Sequence, residues 1–476
     1  MPWRETVEPV RMERVALLGP VQTWRHVLVA VADTGAVELD HVADSADTAP
    51  NEAERRLAAL KLETPPPPSL VWDAPDLDVV VASLPVERAG SVLAGEAALA
   101  EVGADSVRRG SVAALTGWVP ARRRGDVAES IARHGGALMP MPVPRGTDPP
   151  TQLATRGRLG RSFEPLVRTY ATVPYADVDP TIVAGLAYVL MFGIMFADAG
   201  HGLLLALLGL LLRAGRMPRL NRFRHVWPFV VGAGLASVVF GVLFGEFFGP
   251  TGVLEPVWLD PLEDPITLLS AAIAVGGVLL AGSYLLGTVN RWRESGWRTA
   301  LVAQSGLAGI ALFLGLGIIA WGVATSSTPL VIGGAVVALT GVVLTYVGLL
   351  AAAGGGGAGA AQATVELFDA VIRLGTSLVS FARLAAFGLA HAALTGLVWQ
   401  GTTALADSGP LGWLAGAVVF VIGNAVIFAF EALVAGIQAL RLEYYELFSR
   451  VFESEGRPFR PWHIPLARDD VRTEVS

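Results

Sequence analysis

The sequence contains no cysteine, which excludes disulfides, thiolate metal sites and a thiol nucleophile. Charged residues are also scarce, at 16% of the 476 residues, whereas 53% are hydrophobic. A net charge of -7 and the lack of a basic stripe with interleaved aromatics exclude a nucleic-acid signature. No G-x-x-x-x-G-K-[ST] phosphate loop occurs, so no nucleotide site is predicted. The N-terminus lacks the apolar core and cleavage site of a signal peptide, and we expect the first region to be cytoplasmic.

Apolar runs concentrate between Ile182 and Phe448, and they are long enough to span ~30 Å of hydrocarbon. The residues before them alternate short strand-like and helix-like patterns, which predicts a small α/β domain. Four regions are predicted from this change in pattern. They are a cytoplasmic α/β domain at 1–150, a linker at 151–181, a transmembrane region at 182–448 and a cytoplasmic tail at 449–476.

The distribution of arginine predicts which loops are cytoplasmic. Arginines crowd the segments 213–224, 291–298 and 450–472, whereas the loop 249–265 carries four carboxylates and no Lys or Arg. If both termini are cytoplasmic, the run 182–212 has to cross twice, with its break at Asp198–Gly202. The predicted spans are 182–197, 199–213, 226–247, 266–289, 298–323, 329–353, 361–402 and 411–447. The fold class is therefore an α-helical polytopic membrane protein with about eight transmembrane helices, the last two long and tilted.

The seventh predicted span carries polar side chains at three- and four-residue steps, which places them on one helix face. They are Glu366, Asp369, Arg373, Thr376, Ser380 and Arg383, and His391 flanks them. The eighth span repeats the pattern with Asn424, Glu431, Gln438 and Arg441. Charged side chains at membrane depth are functional candidates, and carboxylates and imidazole can exchange protons. We therefore predict that these two polar faces line a path for protons.

Arg383 has a predicted role of its own, because a guanidinium keeps its charge where a carboxylate or imidazole does not. A fixed positive charge would block a direct proton leak and would lower the pKa of a carboxylate that approaches on another protein. The structural alternative is that Arg373, Arg383 and Arg441 form internal ion pairs, with Asp369 and Glu431 as partners. For one pair taken alone, the structural interpretation and the transport interpretation are equally supported. The two polar faces together favour transport.

Three further polar residues lie near predicted span ends. For Asp198 and His201 a structural pair at a helix break is favoured over a metal site, because no third ligand lies nearby in sequence. Glu246, in FGEFFGP, is expected at the outer interface, with the lining of an outer channel as the alternative. No metal, nucleotide or other cofactor is predicted.

Three segments, in this order, resemble the membrane subunit called a, or subunit I, of vacuolar-type and archaeal or bacterial V/A-type ATPases. They are VPYADVDPT leading into MFGIMFADAGHGLLL, then SFARLAAFGLAHAAL, then FEALVAGIQALRLEYYELFSRVFESEGRPFRP. The resemblance implies that Arg383 corresponds to the family's essential arginine, which faces a rotating proteolipid ring. It also implies that His391, Glu431 and Arg441 occupy the other channel positions, and that Asp369 stands at an acidic one.

The resemblance further implies a non-catalytic stator subunit that couples ion flow to ATP synthesis or hydrolysis elsewhere. The implied partners are the proteolipid ring, subunits of the peripheral and central stalks, and membrane lipid; the implied location is a prokaryotic plasma membrane. GWVPARRRGDVAESIARHGGAL resembles the end of the family's large cytoplasmic head, which is shorter here. Proton or sodium, and synthesis or hydrolysis, stay open. The alternative function, a self-contained secondary transporter, should show internal repeats and paired helix interruptions. Neither is convincing in this sequence, since the only clear interruption is near Asp198.

Overall fold

A computed structural model describes residues 8–40, 50–64, 66–144, 147–153, 157–216, 218–452 and 455–467. The chain divides into two compact units. One, here called the sheet unit, contains the described residues of Pro9–Leu153 and Gly456–Ser476. The other, the helical unit, contains those of Met1–Glu8 and Ala154–Glu455. The division between the units after Glu455 falls inside the segment predicted as a tail, 449–476.

The sheet unit is built on antiparallel strands with helices packed against them. Its strands are β1 (Met12–Pro20), β2 (Glu38–Leu39), β3 (Val107–Arg109), β4 (Val112–Pro120) and β5 (Ala137–Pro140). Its helices are α1 (Trp24–Thr34), α2 (Glu52–Ala59), α3 (Leu77–Ser83), α4 (Val86–Ala104) and α5 (Arg124–Ala132). The strand order is β2-β4-β1-β5, with β3 paired to β4. Alternation along β1 turns Val15 and Leu17 into the core, where both are 0% exposed. The predicted α/β region is confirmed.

Residues from the C-terminal part of the chain complete the core of the sheet unit. Ile464 is buried among the residues of that core. The backbone N–H of Trp462 donates to the carbonyl of Val37 at 2.8 Å. Leu70 donates to Pro465 at 3.0 Å and accepts from Ala467 at 2.7 Å. Hydropathy did not reveal this because the segment after Arg457 is short and polar, and its strand-like pairing is satisfied only by residues far away in sequence.

The helical unit is built of helices, most of which are apolar. They are α6 (Gly157–Tyr170), α7 (Thr181–Met195), α8 (Ala199–Ala214), α9 (Trp227–Phe244), α10 (Pro265–Ser295), α11 (Trp297–Val302), α12 (Leu307–Ala324), α13 (Thr328–Ala352), α14 (Gly356–Ser380), α15 (Ala382–Ala406), α16 (Pro410–Leu442) and α17 (Ser449–Val451), with a π-helical turn at Glu443–Phe448 between the last two. Within the described ranges, 6 helical runs are long and apolar enough to cross a membrane, and α7 and α8 are shorter apolar helices. The predicted polytopic helical fold is confirmed.

Two predicted spans are each divided in the structure. The span predicted at 298–323 breaks between α11 and α12, where Gly306 packs against the carbonyl of Ala300. The span predicted at 361–402 extends from Gly356 to Ala406 and tightens at Phe381. There the N–H of Phe381 bonds the carbonyl of Leu378, three residues back, and the ring of Phe381 fills the space beside a glycine of α10. Arg383 therefore lies on a helix separate from Asp369.

The region predicted as a linker, 151–181, contains helix α6. Its sequence is amphipathic, and Phe163 and Val167 are buried. Gly185 on α7 accommodates the ring of Phe163, since a Cβ at Gly185 would overlap that ring. The apolar side of α6 thus packs on the first apolar helix, which the Pro- and Gly-rich sequence before it did not indicate.

Helices α8 and α9 pack closely through small residues. A Cβ on Gly202 would lie 2.7 Å from the carbonyl oxygen of Gly234, so the two backbones meet where neither helix has a side chain. Gly193 on α7 faces Ala236 of α9 in the same way. This packing holds the break between α7 and α8, where Asp198 caps α8, in one place.

Asp177 gives the helical unit a pH-dependent stability. Its carboxyl is 0% exposed just before α7, and burial, with the neighbouring Glu294 carboxyl, raises its pKa from the ordinary 3.8 to about 8. Because the folded state holds this proton more tightly, the stabilisation is complete below pH ~4 and is lost as pH rises to ~8. We expect Asp177→Asn, which cannot ionise, to remove a slope of up to about 1.4 kcal/mol per pH unit. Thermal unfolding of the full chain in detergent between pH 5 and 8 measures this slope.

The exposed Glu63→Gln should leave the slope unchanged, and an equal slope in Asp177→Asn and wild type would contradict the assignment.

Candidate functional site

Helices α15 and α16 form an antiparallel pair with a regular register. Gln438 lies beside Arg383, Glu431 beside His391, and Gly423 against Val398. From one contact to the next, the residue number rises on α15 by nearly as much as it falls on α16, as two antiparallel helices require. The polar residues predicted on the two separate spans therefore meet in pairs at matching heights. Arg383 and His391 are about 12 Å apart along the axis.

The first pair joins Arg383 and Gln438. An Nη1 of Arg383 lies 3.5 Å from Oε1 of Gln438, at the limit of a hydrogen bond. The arginine side chain is half-buried, and among the described residues no carboxylate lies within ion-pair distance of it. Asp369 pairs instead with Arg373 at 2.8 Å, and Glu431 with His391. The internal ion pair considered for Arg383 as an alternative is therefore absent from the described parts of the chain, and its charge is available to a partner.

The second pair joins His391 and Glu431. Nδ1 of His391 makes a short hydrogen bond with Oε2 of Glu431. His391 is 2% exposed, whereas 14% of the Glu431 side chain is accessible. The second ring nitrogen of His391, Nε2, faces Oδ2 of Asp198 at 3.7 Å. A buried imidazole thus stands between two carboxylates, one of which reaches the surface of the chain.

Asp198 is fixed by backbone donors. It caps the N-terminus of α8, accepting from the N–H of His201 at 2.8 Å. The N–H groups of Phe248 and Gly249 donate to the same carboxylate at 3.0 and 2.8 Å. Both loop residues have positive φ values, 51° and 94°, which turn their N–H groups inward. A side chain at Gly249 would press on Thr395 of α15, so a glycine suits this close approach.

His201 lies on the other side of the same carboxylate. Its Nδ1 is 3.6 Å from Oδ2 of Asp198, and the side chain is 0% exposed. The rings of His201 and His391 are 5.6 Å apart at 80°. Three phenylalanine rings lie around His201, and one of them, Phe196, also contacts His391. They are Phe196, Phe248 and Phe428, at 5.2 to 5.8 Å from the ring of His201. We call Asp198, His201, His391 and Glu431 the histidine cluster.

The polar face of α14 is arranged differently. Arg373 and Asp369 bind each other one helical turn apart, and both side chains are 55% exposed. Oε1 of Glu366 accepts from Gln362 on the same helix, and the hydroxyl of Ser380 donates to the carbonyl of Thr376. These contacts stay within α14. The structure therefore does not bring this part of the predicted stripe to the α15–α16 pairs.

The remaining predicted residues occupy both ends of the pairing. Arg441 is exposed on α16, one turn beyond Gln438. Asn424 is buried two turns before Glu431, and its Nδ2 donates to the carbonyl of Phe420. Glu246, 4% exposed, follows α9, and its carbonyl accepts from the N–H of Ala199. The loop that holds Asp198 thus also holds Glu246.

Sequence reasoning separated residues that the fold brings together. Asp198 and His201 do lie at a helix break, between α7 and α8, but His391, which comes from α15, lies against both of them. No local spacing connects them. The available signal was that all three are titratable groups inside otherwise apolar segments, where an unpaired polar side chain is costly and therefore needs a partner.

Parts of the chain are similar in sequence to known proteins. The sequence profile of the V-type ATPase 116kDa subunit family matches residues 104–249, which include Asp198, His201 and Glu246. A-type ATP synthase subunit I of Pyrococcus horikoshii is 28% identical over 377 residues, covering 76% of this chain and 55% of the relative. The protein of that name from Aeropyrum pernix is 27% identical over 424 residues, covering 78% and 60%.

A bacterial relative matches a shorter stretch more closely. V-type ATP synthase subunit I 2 of Treponema pallidum is 36% identical over 152 residues, which is 30% of this chain and 34% of the relative. The chain spans little more than half the length of the archaeal relatives that it matches. A membrane protein with several spans is consistent with both the apolar helices and these relatives.

Proposed function

Because the chain belongs to the V-type ATPase 116kDa subunit family, we propose that it is the membrane stator subunit of a rotary V/A-type ATPase. In this role it carries protons along α15 and α16 while a ring of proteolipid subunits turns beside them. The observation that carries the proposal is the pairing of these helices. It sets a buried imidazole between two carboxylates and leaves a half-buried guanidinium without an ion-pair partner in the described chain.

The histidine cluster supplies groups that accept and release protons. Imidazole binds a proton on either ring nitrogen, so His391 can take a proton on one side and give it up on the other. Glu431 on one side and Asp198 on the other are carboxylates of the right kind for such a relay. The accessible edge of Glu431 is where protons would leave or enter. Glu246 and Asn424 extend this path toward the outer half-channel.

Arg383 acts differently because it does not release its proton under physiological conditions. Its charge, with only a weak contact to Gln438, attracts an acidic group that passes on the ring. The ring carboxylate loses its proton on approaching Arg383, since a neighbouring positive charge favours the ionised form. Protons therefore enter by one half-channel, travel with the ring, and leave by the other, and Arg383 prevents a direct leak between them.

The arginine-rich loops suggest which end of the proton path faces the cytoplasm. We place His391 toward the outside and Arg441 toward the cytoplasmic end, with both termini cytoplasmic and the sheet unit facing the stalk subunits. Asp369, Glu366, Arg373 and Ser380 lie on α14, and their contribution is a surface near the inner half-channel rather than the relay itself. The chain takes no part in ATP hydrolysis in this proposal; its partners do.

Purification from native membranes tests this function. The full chain, tagged and extracted in mild detergent, should bring down a small proteolipid and soluble ATPase subunits, with ATP hydrolysis in the eluate. A tagged unrelated membrane protein of the same cells serves as the control. A chain that purifies without these subunits, and that alone exchanges an ion or solute across liposomes, would instead be a secondary transporter.

A further inference from the structure

The histidine cluster contains buried nitrogen atoms that have no partner within hydrogen-bond distance among the described residues. Both ring nitrogens of His201 and Nε2 of His391 lack one among the described residues, and both side chains are at most 2% exposed. Burying an unpaired polar atom is unfavourable, so these nitrogens call for a ligand. His391 and Asp198 come from elements far apart in sequence, which argues against a local accident of helix geometry.

The three side chains have the geometry of a metal site. One ligand atom from each of Asp198, His201 and His391 lies within 4.8 Å of the others. The measured separations from Oδ2 of Asp198 are 3.6 Å to Nδ1 of His201 and 3.7 Å to Nε2 of His391. Tetrahedral zinc with bonds of about 2.0–2.1 Å separates its ligands by about 3.3 Å. A contraction of a few tenths of an ångström would bring each histidine nitrogen to that separation from Asp198.

The surroundings complete this arrangement. A histidine that binds a metal through one nitrogen usually donates from the other to a carboxylate, which orients the ring. Glu431 stands in that position on Nδ1 of His391. Asp198 is in turn held by three backbone N–H groups. A divalent cation would balance the two carboxylates, which removes the cost of burying an uncompensated charge.

We propose that Asp198, His201 and His391 bind one Zn²⁺ ion, with Glu431 orienting His391 and the fourth position open to water. Two imidazoles and one carboxylate are ligands that zinc accepts, and three protein ligands with an open position are common for it. No third ligand lies near Asp198 and His201 in sequence, which is why a structural pair is the prediction there; α15 supplies the third ligand. Zinc on Nε2 of His391 would occupy the nitrogen that the proton relay uses, so bound zinc should inhibit proton flow. This last effect rests on the proposed function, whereas binding does not.

Calorimetric titration with ZnCl₂ tests the site. The full chain is purified in detergent, stripped with EDTA and titrated near pH 7. We expect one tight equivalent of zinc, with affinity at least about tenfold lower in His201→Gln and in Asp198→Asn. The matched control is the double variant His26→Gln/His134→Gln, which removes two stacked histidines of the sheet unit and should leave the tight equivalent intact.

X-ray absorption of the zinc-loaded wild type covers the case in which a variant does not fold. Two imidazoles and oxygen at about 2.0–2.1 Å from zinc support the site. A spectrum without two imidazoles, no tight equivalent in wild type, or its loss in the sheet-unit control would overturn it. The outcome is separate from the proposed function, since a chain that binds zinc but brings down no proteolipid keeps the metal site and loses the ATPase role.

Discussion

Replacing Arg383 with lysine is expected to lower ATP-driven proton pumping by at least about tenfold, a loss equivalent to about 1.4 kcal/mol in the limiting step. Lysine keeps a positive charge but loses the planar fork, and it can release its proton when desolvated. Both changes weaken the hold on an acidic group of the ring and open a route for leakage. The assembled complex in liposomes, with a pH-sensitive dye inside and ATP added outside, measures the rate.

The control for this variant is Arg298→Lys. Arg298 is exposed, and its guanidinium lies 5.7 Å from the ring of Trp297, so lysine should serve equally well there. ATP hydrolysis is measured on the same samples, because a stator that leaks should let hydrolysis continue without pumping. Pumping at the wild-type rate in Arg383→Lys would show that this residue does not separate the half-channels.

Glu431→Gln and His391→Ala are each expected to reduce pumping by about tenfold to a hundredfold, and the double variant should be no slower than the slower single variant. The reason is that the two side chains share one hydrogen bond, so either substitution interrupts the same relay. Glutamine keeps the shape of Glu431 but cannot exchange a proton. The same liposome assay, completed with all four combinations, gives the coupling between the two positions.

A hydroxyl farther along the same helix provides the matched control for this cycle. Thr403, also on α15, donates to the carbonyl of Trp399 within its own helix, and Thr403→Ala should leave pumping near the wild-type rate. Losses that multiply in the double variant would mean that His391 and Glu431 act independently. In that case the relay through the histidine cluster would have to be abandoned, even if Arg383 keeps its role.

Hydropathy alone was sufficient for most of the helical unit. Apolar runs and arginine-rich loops predicted α9, α13 and the start of α10 to within a few residues, because a span in lipid has to be apolar along its length. The tightening at Phe381 was not predictable, since it depends on a ring that fits against a glycine of another helix. The three- and four-residue spacing therefore predicts Asp369 and Arg383 on one helix face, whereas the fold places them on separate helices.

Contacts between side chains on different helices were also not predictable from the sequence. The sequence identified His391 and Glu431 as candidates separately, from their cost inside an apolar segment. It could not give the register that sets them side by side, because register depends on packing of small residues such as Gly423 against Val398. Nor could it connect His201 to α15, since contact between residues so far apart in sequence comes from tertiary structure.

The contribution of Ile464 and Trp462 to the sheet unit fixes the parity of the membrane crossings. The stretch ending at residue 153 and the stretch beginning at 456 belong to one compact unit, so they lie on the same side of any membrane that the intervening chain traverses. A path that returns to its starting side crosses an even number of times. If each of the 6 long apolar runs crosses once, the short helices α7 and α8 both cross or both turn back, whichever side the sheet unit occupies.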